Sequence, residues 1–311
     1  VAHLWLPAGV GRVRGLVLGD AIDLGADVCR DPQVRSAAAD KHLGVLLFDP
    51  GLDAVFNWVQ RDSEDRLLWT LERLAARSGR PELRRVPWLT VGHSTGGIYA
   101  RNVAYWKPHR VIGVLHLKSG NLQDGLFHLR EPYLRAHPRA RSRTLAGVPF
   151  LAINGEFERF GPKGGDLGVG LRKRYSLHPE NKKKRNQTQW VMIRMQLLDR
   201  RRKNPDNLMG LVVERGGGHN SWNEKMSEIA AQFVRSAADA RLGVDPPAGE
   251  VVRCKEVSAD DGWLMDPDIK DPAHEPAPYE KYAGDKTLAL WYADEALAKM
   301  VWEYHNGGEW R

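Results

Sequence analysis

The chain has 311 residues, of which 42% are hydrophobic, enough for one large α/β domain with a substantial core and an extension. Its formal net charge is +7, and no stretch approaches the roughly 18 uninterrupted apolar residues of a membrane-spanning helix. Composition therefore predicts a globular chain and excludes a membrane span.

Short apolar runs alternate with helical patterns in the first part of the chain. Strands are predicted at residues 4–7, 14–19 and 45–48. Asp31 is a candidate N-cap for a helix at residues 32–42, which has Pro32 at its first position. A second helix is predicted at residues 64–77, where leucines recur at helical spacing.

The alternation continues to residue 243. Strands are predicted at residues 86–91, 110–117, 148–153 and 208–213, and helices at residues 97–104, 189–199 and 224–240. This alternation predicts an α/β fold, with a mostly parallel central sheet and helices on both faces. Residues 244–249 resemble a linker, so we assign residues 1–243 to this domain. Residues 244–311 are assigned to a C-terminal extension packed on the core, with one helical pattern at residues 287–304.

A polar, arginine-rich connection at residues 119–146 interrupts the pattern. A long irregular segment near the expected mouth of a sheet is often functional. We predict that this insertion lines a pocket, with Phe127 and Tyr133 as candidate contacts. A surface excursion that contacts no ligand is the alternative.

Residues 92–96, with the sequence Gly-His-Ser-Thr-Gly, lie between a predicted strand and a predicted helix. A serine on so sharp a turn needs small residues two positions before and after it, because a Cβ there would collide with the strand or the helix. Gly92 and Gly96 meet this need. We therefore predict Ser94 as a nucleophile, with an ordinary turn residue as the alternative, and expect His93 to pack away from the hydroxyl.

Two later strands are followed by residues that carry complementary chemistry. Gly155, Glu156 and Glu158 come after one strand, at the strand end where ligands bind in open α/β sheets. Three glycines and then His219 come after the last strand of the domain. So many glycines before a histidine indicate a loop rather than a core position.

In this order the three segments resemble the α/β-hydrolase superfamily and its serine esterases. Residues 92–96 match the nucleophile elbow, residues 218–219 match the histidine loop, and residues 155–158 match the acid loop. The resemblance covers residues 4–243, and it implies the fold of that superfamily.

The resemblance also implies a catalytic triad of Ser94, His219 and Glu158. His219 would take the proton of the serine hydroxyl, because a neutral hydroxyl is a poor nucleophile. Glu158 would hold the tautomer of the imidazole and stabilise its protonated form. Glu156 and Asp166 are the alternative acids.

An oxyanion hole is implied as well. Its donors would be the backbone N–H of Thr95 and one from the loop after the first long strand, at Asp20 or Ala21. An HGGG-type sequence is absent from that loop, and the Asp20 side chain either shapes substrate choice or faces water. Trp222, three residues beyond His219, is a candidate pocket wall, with plain packing as the alternative.

The implied activity is that of a serine hydrolase that cleaves carboxylic esters through an acyl-enzyme. Its partner would be a small-molecule or polymeric ester, and the lack of a large helical cap favours a bulky one such as an acylated polysaccharide. A dienelactone-type hydrolase or a serine peptidase would use the same triad. A protein of another class, a non-catalytic binding protein, would use its basic surface or the aromatic residues Trp263, Tyr279 and Tyr282.

No cofactor or metal is expected, because the chain has no dinucleotide fingerprint, phosphate-cradling loop or HExxH motif. Basic clusters at residues 182–185 and 200–203 lack the interleaved aromatics of a nucleic-acid platform, so no nucleic-acid partner is expected. We interpret these clusters as a solvated helix and its flanks. Attraction of an acidic polymer or an anionic substrate is the alternative.

Cys29 and Cys254 are too few for a disulfide framework. They either form one disulfide between the extension and the N-terminal region or remain two separate buried thiols. The chain begins with Val1, which is compatible with export after removal of a leading segment and with a cytoplasmic location. The oligomeric state stays open.

Overall fold

Seven strands form the large sheet of the computed structural model, which describes residues 1–20, 23–49, 51–53, 56–57, 62–120, 122, 144–158, 189–243, 249–308 and 310. In chain order they are β1 (Ala2–Trp5), β2 (Gly15–Asp20), β3 (Leu43–Phe48), β4 (Trp88–His93), β5 (Val111–Leu117), β6 (Phe150–Gly155) and β7 (Met209–Glu214). Their order in the sheet is β1-β3-β2-β4-β5-β6-β7, with β1 antiparallel and the others parallel to their neighbours. Every residue of β2 to β7 is buried, as expected for a parallel sheet covered on both faces.

Six helices accompany this sheet in the described residues before the extension. They are α1 (Leu24–Arg30), α2 (Pro32–Asp40), α3 (Ser63–Ser78), α4 (Gly96–Trp106), α5 (Gln189–Lys203) and α6 (Glu224–Arg241). The chain moves one way along the sheet from β2 to β3 and the other way from β3 through β4 to β7. Right-handed crossovers then place α1 and α2 on one face and α3, α4 and α5 on the other, while α6 packs against α2. The predicted fold class is confirmed.

The extension forms a small antiparallel sheet followed by a helix. Its strands β8 (Trp263–Met265), β9 (Ala277–Pro278) and β10 (Leu290–Tyr292) lie in the order β10-β8-β9, and its helix is α7 (Glu295–Asn306). The helical pattern predicted at residues 287–304 is therefore wrong at its start, because β10 pairs with β8 there. The side chain of Asp294 begins α7 by accepting a hydrogen bond from the N–H of Leu297 at 2.8 Å.

Polar side chains of the extension bond to the backbone of β7 and of the residue after it. The three contacts are Tyr292 Oη donating to Leu211 O at 2.7 Å, His305 Nε2 accepting from Val213 N at 3.1 Å and Tyr304 Oη accepting from Arg215 N at 2.9 Å. Their backbone partners alternate along the strand. All three bonds therefore lie along one edge of β7.

The interpretation of residues 200–203 as a solvated cluster is wrong for the first two of them. Arg201 is fully buried, and its guanidinium donates to the carbonyl of Ala289 at 2.6 Å. Burial lowers the pKa of Arg201 to about 10. Arg200 is buried too, so half of this cluster joins parts of the chain instead of facing an anionic partner. Residues 182–185 lie outside the described residues.

The structure decides two alternatives that the sequence leaves open, the state of the two cysteines and the exposure of the aromatic residues of the extension. Cys29 and Cys254 are separate buried thiols, and burial raises the pKa of the first to about 12 and of the second to about 11. Tyr282 is 5% exposed, and Trp263 and Tyr279 are half-buried, so these aromatics do not form one open binding surface. Within the described ranges, the helices all fall short of the length and apolarity that crossing a membrane requires.

Candidate active site

Ser94 lies on a sharp turn between β4 and α4, at the carboxyl end of the sheet. Its φ is +55°, a left-handed value that is uncommon for a residue with a Cβ. A Cβ on Gly92 would lie 1.9 Å from the carbonyl oxygen of Gly96, so only glycine fits at that position. A Cβ on Gly96 would lie 2.6 Å from the carboxylate of Asp20. The two glycines of the motif are thus needed for two different close approaches.

His219 lies in the loop between β7 and α6. The loop turns at Gly216, whose φ is +66°, and the carbonyl of Gly217 accepts a hydrogen bond from the N–H of Phe157 at 2.8 Å. A Cβ on Gly155 would lie 2.6 Å from that same carbonyl oxygen. The loop can therefore reach the end of β6 only because a glycine ends that strand.

Glu158, His219 and Ser94 are joined by consecutive hydrogen bonds. His219 Nδ1 lies 2.7 Å from Glu158 Oε1, and His219 Nε2 lies 3.1 Å from Ser94 Oγ. An ionised carboxylate can only accept, so Nδ1 carries the proton and Nε2 can accept from the serine hydroxyl. The His219 side chain is 45% exposed and Ser94 is half-buried. Among the described residues, none closes these two groups off from a solute.

The carboxylate of Glu158 is buried and held from its far side. Its Oε2 accepts from the backbone N–H of Gly155 at 2.7 Å and from Asn154 Nδ2 at 3.2 Å. These donors leave Oε1 facing His219. The acid is thus oriented by the end of its own strand.

Glu156, one of the two alternative acids, faces away from His219. Its Oε1 pairs with Lys270 Nζ at 2.9 Å, and its Oε2 accepts from the N–H of Gly216 at 3.0 Å. The geometry therefore brings Glu158, not Glu156, to the imidazole. The other alternative, Asp166, lies outside the described residues.

His93 is fully buried beneath the histidine loop. Its Nε2 lies 2.9 Å from the carbonyl oxygen of His219, and its Nδ1 lies 3.7 Å from the carboxylate of Asp23. Burial lowers the pKa of His93, so the ring is neutral and donates through Nε2. Packing was expected for this residue, but its bond to His219 was not, because no local pattern links residues so far apart in the chain.

The oxyanion candidates lie where β2 and α4 meet the elbow. Thr95 is exposed and directly precedes α4, at the positive end of the helix dipole. Asp20 is the last residue of β2, and its side chain is buried beside Gly96, so of the two alternatives for this side chain the one in which it faces water is wrong. Ala21 lies outside the described residues. The donor roles of Thr95 and Asp20 stay predictions.

Trp222 is half-buried and fixed to the start of α6. Its indole Nε1 donates to Ser227 Oγ at 2.9 Å, and Ser227 Oγ donates to Asp31 Oδ2 at 2.6 Å. These contacts agree with the packing alternative, and a role in the pocket stays a prediction. Phe127 and Tyr133, the other pocket candidates, lie outside the described residues. Among the residues that are described, no cluster of three or more histidine, cysteine or carboxylate side chains could hold a metal ion.

Three features occur together in this molecule. They are the strand order of the large sheet, a serine with a left-handed backbone conformation between β4 and α4, and the chain order serine, glutamate, histidine. The fold is that of the α/β-hydrolases. The resemblance stated from the sequence is thus confirmed for the fold.

No family model and no curated protein matches the chain. Solved structures are similar to it. A poly(3-hydroxybutyrate) depolymerase, LpqC from Bordetella parapertussis, is 18% identical, with 80% of this chain and 88% of that chain covered and a TM-score of 0.47. An S-formylglutathione hydrolase from Agrobacterium tumefaciens is 15% identical, with 78% and 90% covered and a TM-score of 0.42. Esterase PE8 is 16% identical, with 76% and 98% covered and a TM-score of 0.40. At such identities these neighbours assign no substrate to this chain.

Proposed function

We propose that this chain is a serine hydrolase that cleaves carboxylic esters through an acyl-enzyme. The observation that carries the proposal is the pair of hydrogen bonds at His219, 3.1 Å to Ser94 Oγ and 2.7 Å to Glu158 Oε1. A nucleophile, a base and a group that orients the base are recognised by this geometry rather than by sequence position.

In the first half of the reaction Ser94 Oγ attacks the acyl carbon of the ester. His219 Nε2 takes the hydroxyl proton as the new C–O bond forms, and Glu158 stabilises the imidazolium without accepting a proton. The tetrahedral intermediate then collapses. Its C–O bond to the alcohol breaks, His219 returns the proton to that oxygen, and Ser94 is left acylated.

The second half repeats these steps with water as the nucleophile. His219 takes a proton from water, the hydroxide adds to the acyl carbon, and breakage of the Ser94 ester releases the carboxylic acid. In both halves negative charge develops on the acyl oxygen. The N–H of Thr95, at the start of α4, is the donor we assign to that charge.

The openness of the described site supports a bulky ester. His219 is 45% exposed, so the imidazole is not closed off by the residues that are described. We propose an ester with a large alcohol part, such as an acylated polysaccharide, ahead of a small soluble ester. A dienelactone-type hydrolase and a serine peptidase remain alternatives with the same triad.

A fluorophosphonate probe tests the nucleophile directly. Attack by Ser94 Oγ forms a P–O bond and expels fluoride, so the wild-type chain becomes covalently labelled. Ser94→Ala should abolish the label. Ser78→Ala, which changes an exposed serine at the end of α3, should leave it unchanged. An unlabelled wild-type chain would favour the non-catalytic binding protein and overturn the proposal.

A substrate panel separates the remaining alternatives. The panel compares kcat/KM for four kinds of substrate: nitrophenyl esters of increasing acyl length, acetylated and feruloylated glycans, a dienelactone and a peptide anilide. We expect the esters to be cleaved and the anilide not. Preference for the anilide would identify a peptidase, and preference for the dienelactone would identify the other alternative.

A further inference from the structure

A buried ion pair lies behind the candidate active site. Lys118 directly follows β5, and Glu214 is the last residue of β7. Their side chains are 0% and 2% exposed, and Lys118 Nζ donates to Glu214 Oε2. Neither residue belongs to the proposed triad. Polar groups buried in this way require partners, because each charge has lost its hydration.

The carboxylate of Glu214 fills the inside of the loop that carries His219. Its Oε2 accepts from Ser221 Oγ at 2.7 Å, and its Oε1 accepts from Asn223 Nδ2 at 3.0 Å. Ser221 Oγ in turn accepts from the N–H of Gly218 at 2.8 Å. One carboxylate thus holds residues on both sides of His219.

The backbone of Lys118 connects the other two segments of the site. Its N–H donates to the carbonyl of Ile153 in β6 at 2.7 Å, on the strand that leads to Glu158. The carbonyl of the preceding residue, Leu117, accepts from the N–H of Ser94 at 2.9 Å. Lys118 therefore stands where the nucleophile, acid and histidine segments meet.

The conformation of Lys118 indicates that its side chain is needed at this position. Its φ is +48°, in the left-handed region that glycine and asparagine adopt more readily than lysine. Either of those residues would make the turn more easily. What they lack is an ammonium that reaches the buried carboxylate of Glu214.

We propose that Lys118, acting through Glu214, is a positioning residue that holds His219 at hydrogen-bonding distance from Ser94. The inference rests on the proposed triad. Three glycines precede His219, and glycine backbones are free to adopt many conformations. The ion pair with Lys118 fixes the buried Glu214 carboxylate, and any loop arrangement that moves Ser221 and Asn223 away leaves that carboxylate without two of its hydrogen bonds.

Removing one charge should displace the loop. Lys118→Met leaves the Glu214 carboxylate buried without a cation, so it must turn towards water and release Ser221. A misplacement of about 1 Å can lower a catalytic rate by about 100-fold. We expect kcat to fall by about 10- to 100-fold while KM changes less than about twofold, since both side chains of the pair are buried from solvent.

The double variant Lys118→Met/Glu214→Gln tests whether the two residues act together. The glutamine amide would keep neutral hydrogen bonds to Ser221 and Asn223 with no unpaired charge left behind, and such replacements are often tolerated. The kcat of the double variant should fall by about 10-fold at most, less than the product of the losses in the single variants. If Lys118→Met does not fold, this double variant and Glu214→Gln decide the question.

Arg241→Met provides a matched control on the opposite end of β5. Arg241 is buried, and its guanidinium donates to the carbonyls of Pro108 at 2.8 Å and Val111 at 3.1 Å. Its loss should destabilise the fold without changing kcat of the folded fraction. A stability effect alone is thereby separated from a positioning effect.

The experiment measures three quantities on the full chain: kcat and KM on a nitrophenyl ester, the rate constant for fluorophosphonate labelling, and the proton NMR signal of His219 Nδ1–H. The NMR signal, assigned by its loss in His219→Ala, should shift or broaden in Lys118→Met and stay unchanged in Arg241→Met. Lys118→Met with wild-type kcat and NMR signal would overturn the inference, and so would Glu214→Gln with both unchanged. A double variant whose loss in kcat equals the product of the two single losses would show that the residues act independently and would overturn it too. A wild-type chain that neither turns over esters nor is labelled would instead overturn the proposed function, while the NMR signal still reports on the loop.

Discussion

The imidazole of His93 lies against that of His219, with ring centroids 4.8 Å apart and His93 Nε2 2.9 Å from the backbone oxygen of His219. The residue before the nucleophile thus supports the residue that would deprotonate it. Because His93 is neutral, it adds a hydrogen-bond donor beneath the base without adding a positive charge.

His93→Phe keeps a ring at this position but removes the donor. We expect kcat for ester hydrolysis to fall by about 10-fold, because the His219 carbonyl loses its partner and the loop shifts. KM should stay nearly constant. His116→Phe, at another fully buried histidine, is the control and should keep its rate. Equal kcat values in the two variants would show that His93 only fills space.

Glu158→Gln should lower kcat by about 1,000- to 10,000-fold, because an amide can present its N–H to Nδ1 and favour the wrong tautomer of His219. Glu156→Gln removes the charge that pairs with Lys270 and should retain activity within a few-fold. Steady-state rates on one nitrophenyl ester are sufficient to rank the two. The opposite ranking would make Glu156 the acid.

Gly155→Ala tests the close approach between the end of β6 and the histidine loop. The new Cβ would lie 2.6 Å from the oxygen of Gly217, so the loop must move and His219 with it. We expect a loss of about 100-fold in kcat. Gly210→Ala is a matched control, since its Cβ would lie 2.7 Å from the oxygen of Trp291, away from the triad. It should lower thermal stability only; similar kcat losses in both variants would remove the link to His219.

Acid should destabilise the fold through two buried histidines. Burial, together with nearby arginines, lowers the pKa of His116 and of His305 to about 3, whereas an unfolded histidine titrates near 6.5. Between these values the unfolded chain binds protons that the native chain does not, so stability is lost as pH falls below about 6.5. Each histidine should lower the free energy of unfolding by about 2 kcal/mol between about pH 7 and about pH 5.

Urea unfolding at these two pH values measures the effect. His116→Phe should reduce the loss of stability between these pH values by about 2 kcal/mol, because the titration of one buried histidine is removed and its ring nitrogens have no hydrogen-bond partner among the described residues. His3→Phe changes an exposed histidine and should leave the dependence as it is in the wild type. An unchanged slope in His116→Phe would contradict the assignment.

The strands of the large sheet were predictable from sequence because buried parallel strands are continuous apolar runs. The predicted and observed limits of β2 to β7 differ by no more than two residues, as for residues 148–153 against Phe150–Gly155. Helix α1 and the strands of the extension were missed. Each of them has seven residues or fewer, which is too short for a periodic pattern of hydrophobic residues to be recognised.

The site was predictable from the sequence only where residues close together in the chain form a recognisable motif. The glycines around Ser94 and before His219 mark turns whatever the rest of the chain does, and the structure brings these segments together. No local sequence pattern indicates the burial of Arg200 and Arg201, because a run of four basic residues is the same in sequence whether its hydrogen-bond partners are carbonyls or water. Lys118 and Glu214 are likewise paired across strands that are far apart in sequence. Such pairings depend on the fold as a whole.

The hydrogen bonds from Tyr292, His305 and Tyr304 to one edge of β7 have a consequence for solubility. Among the described strands, β7 is the outermost on its side of the large sheet, and an exposed edge strand is a template for pairing with strands of other molecules. Side chains of the extension already bond to the Leu211 carbonyl and to the N–H groups of Val213 and Arg215 along that edge, so a foreign strand could not use these positions. The extension thus protects the sheet against edge-to-edge aggregation without adding a strand to it.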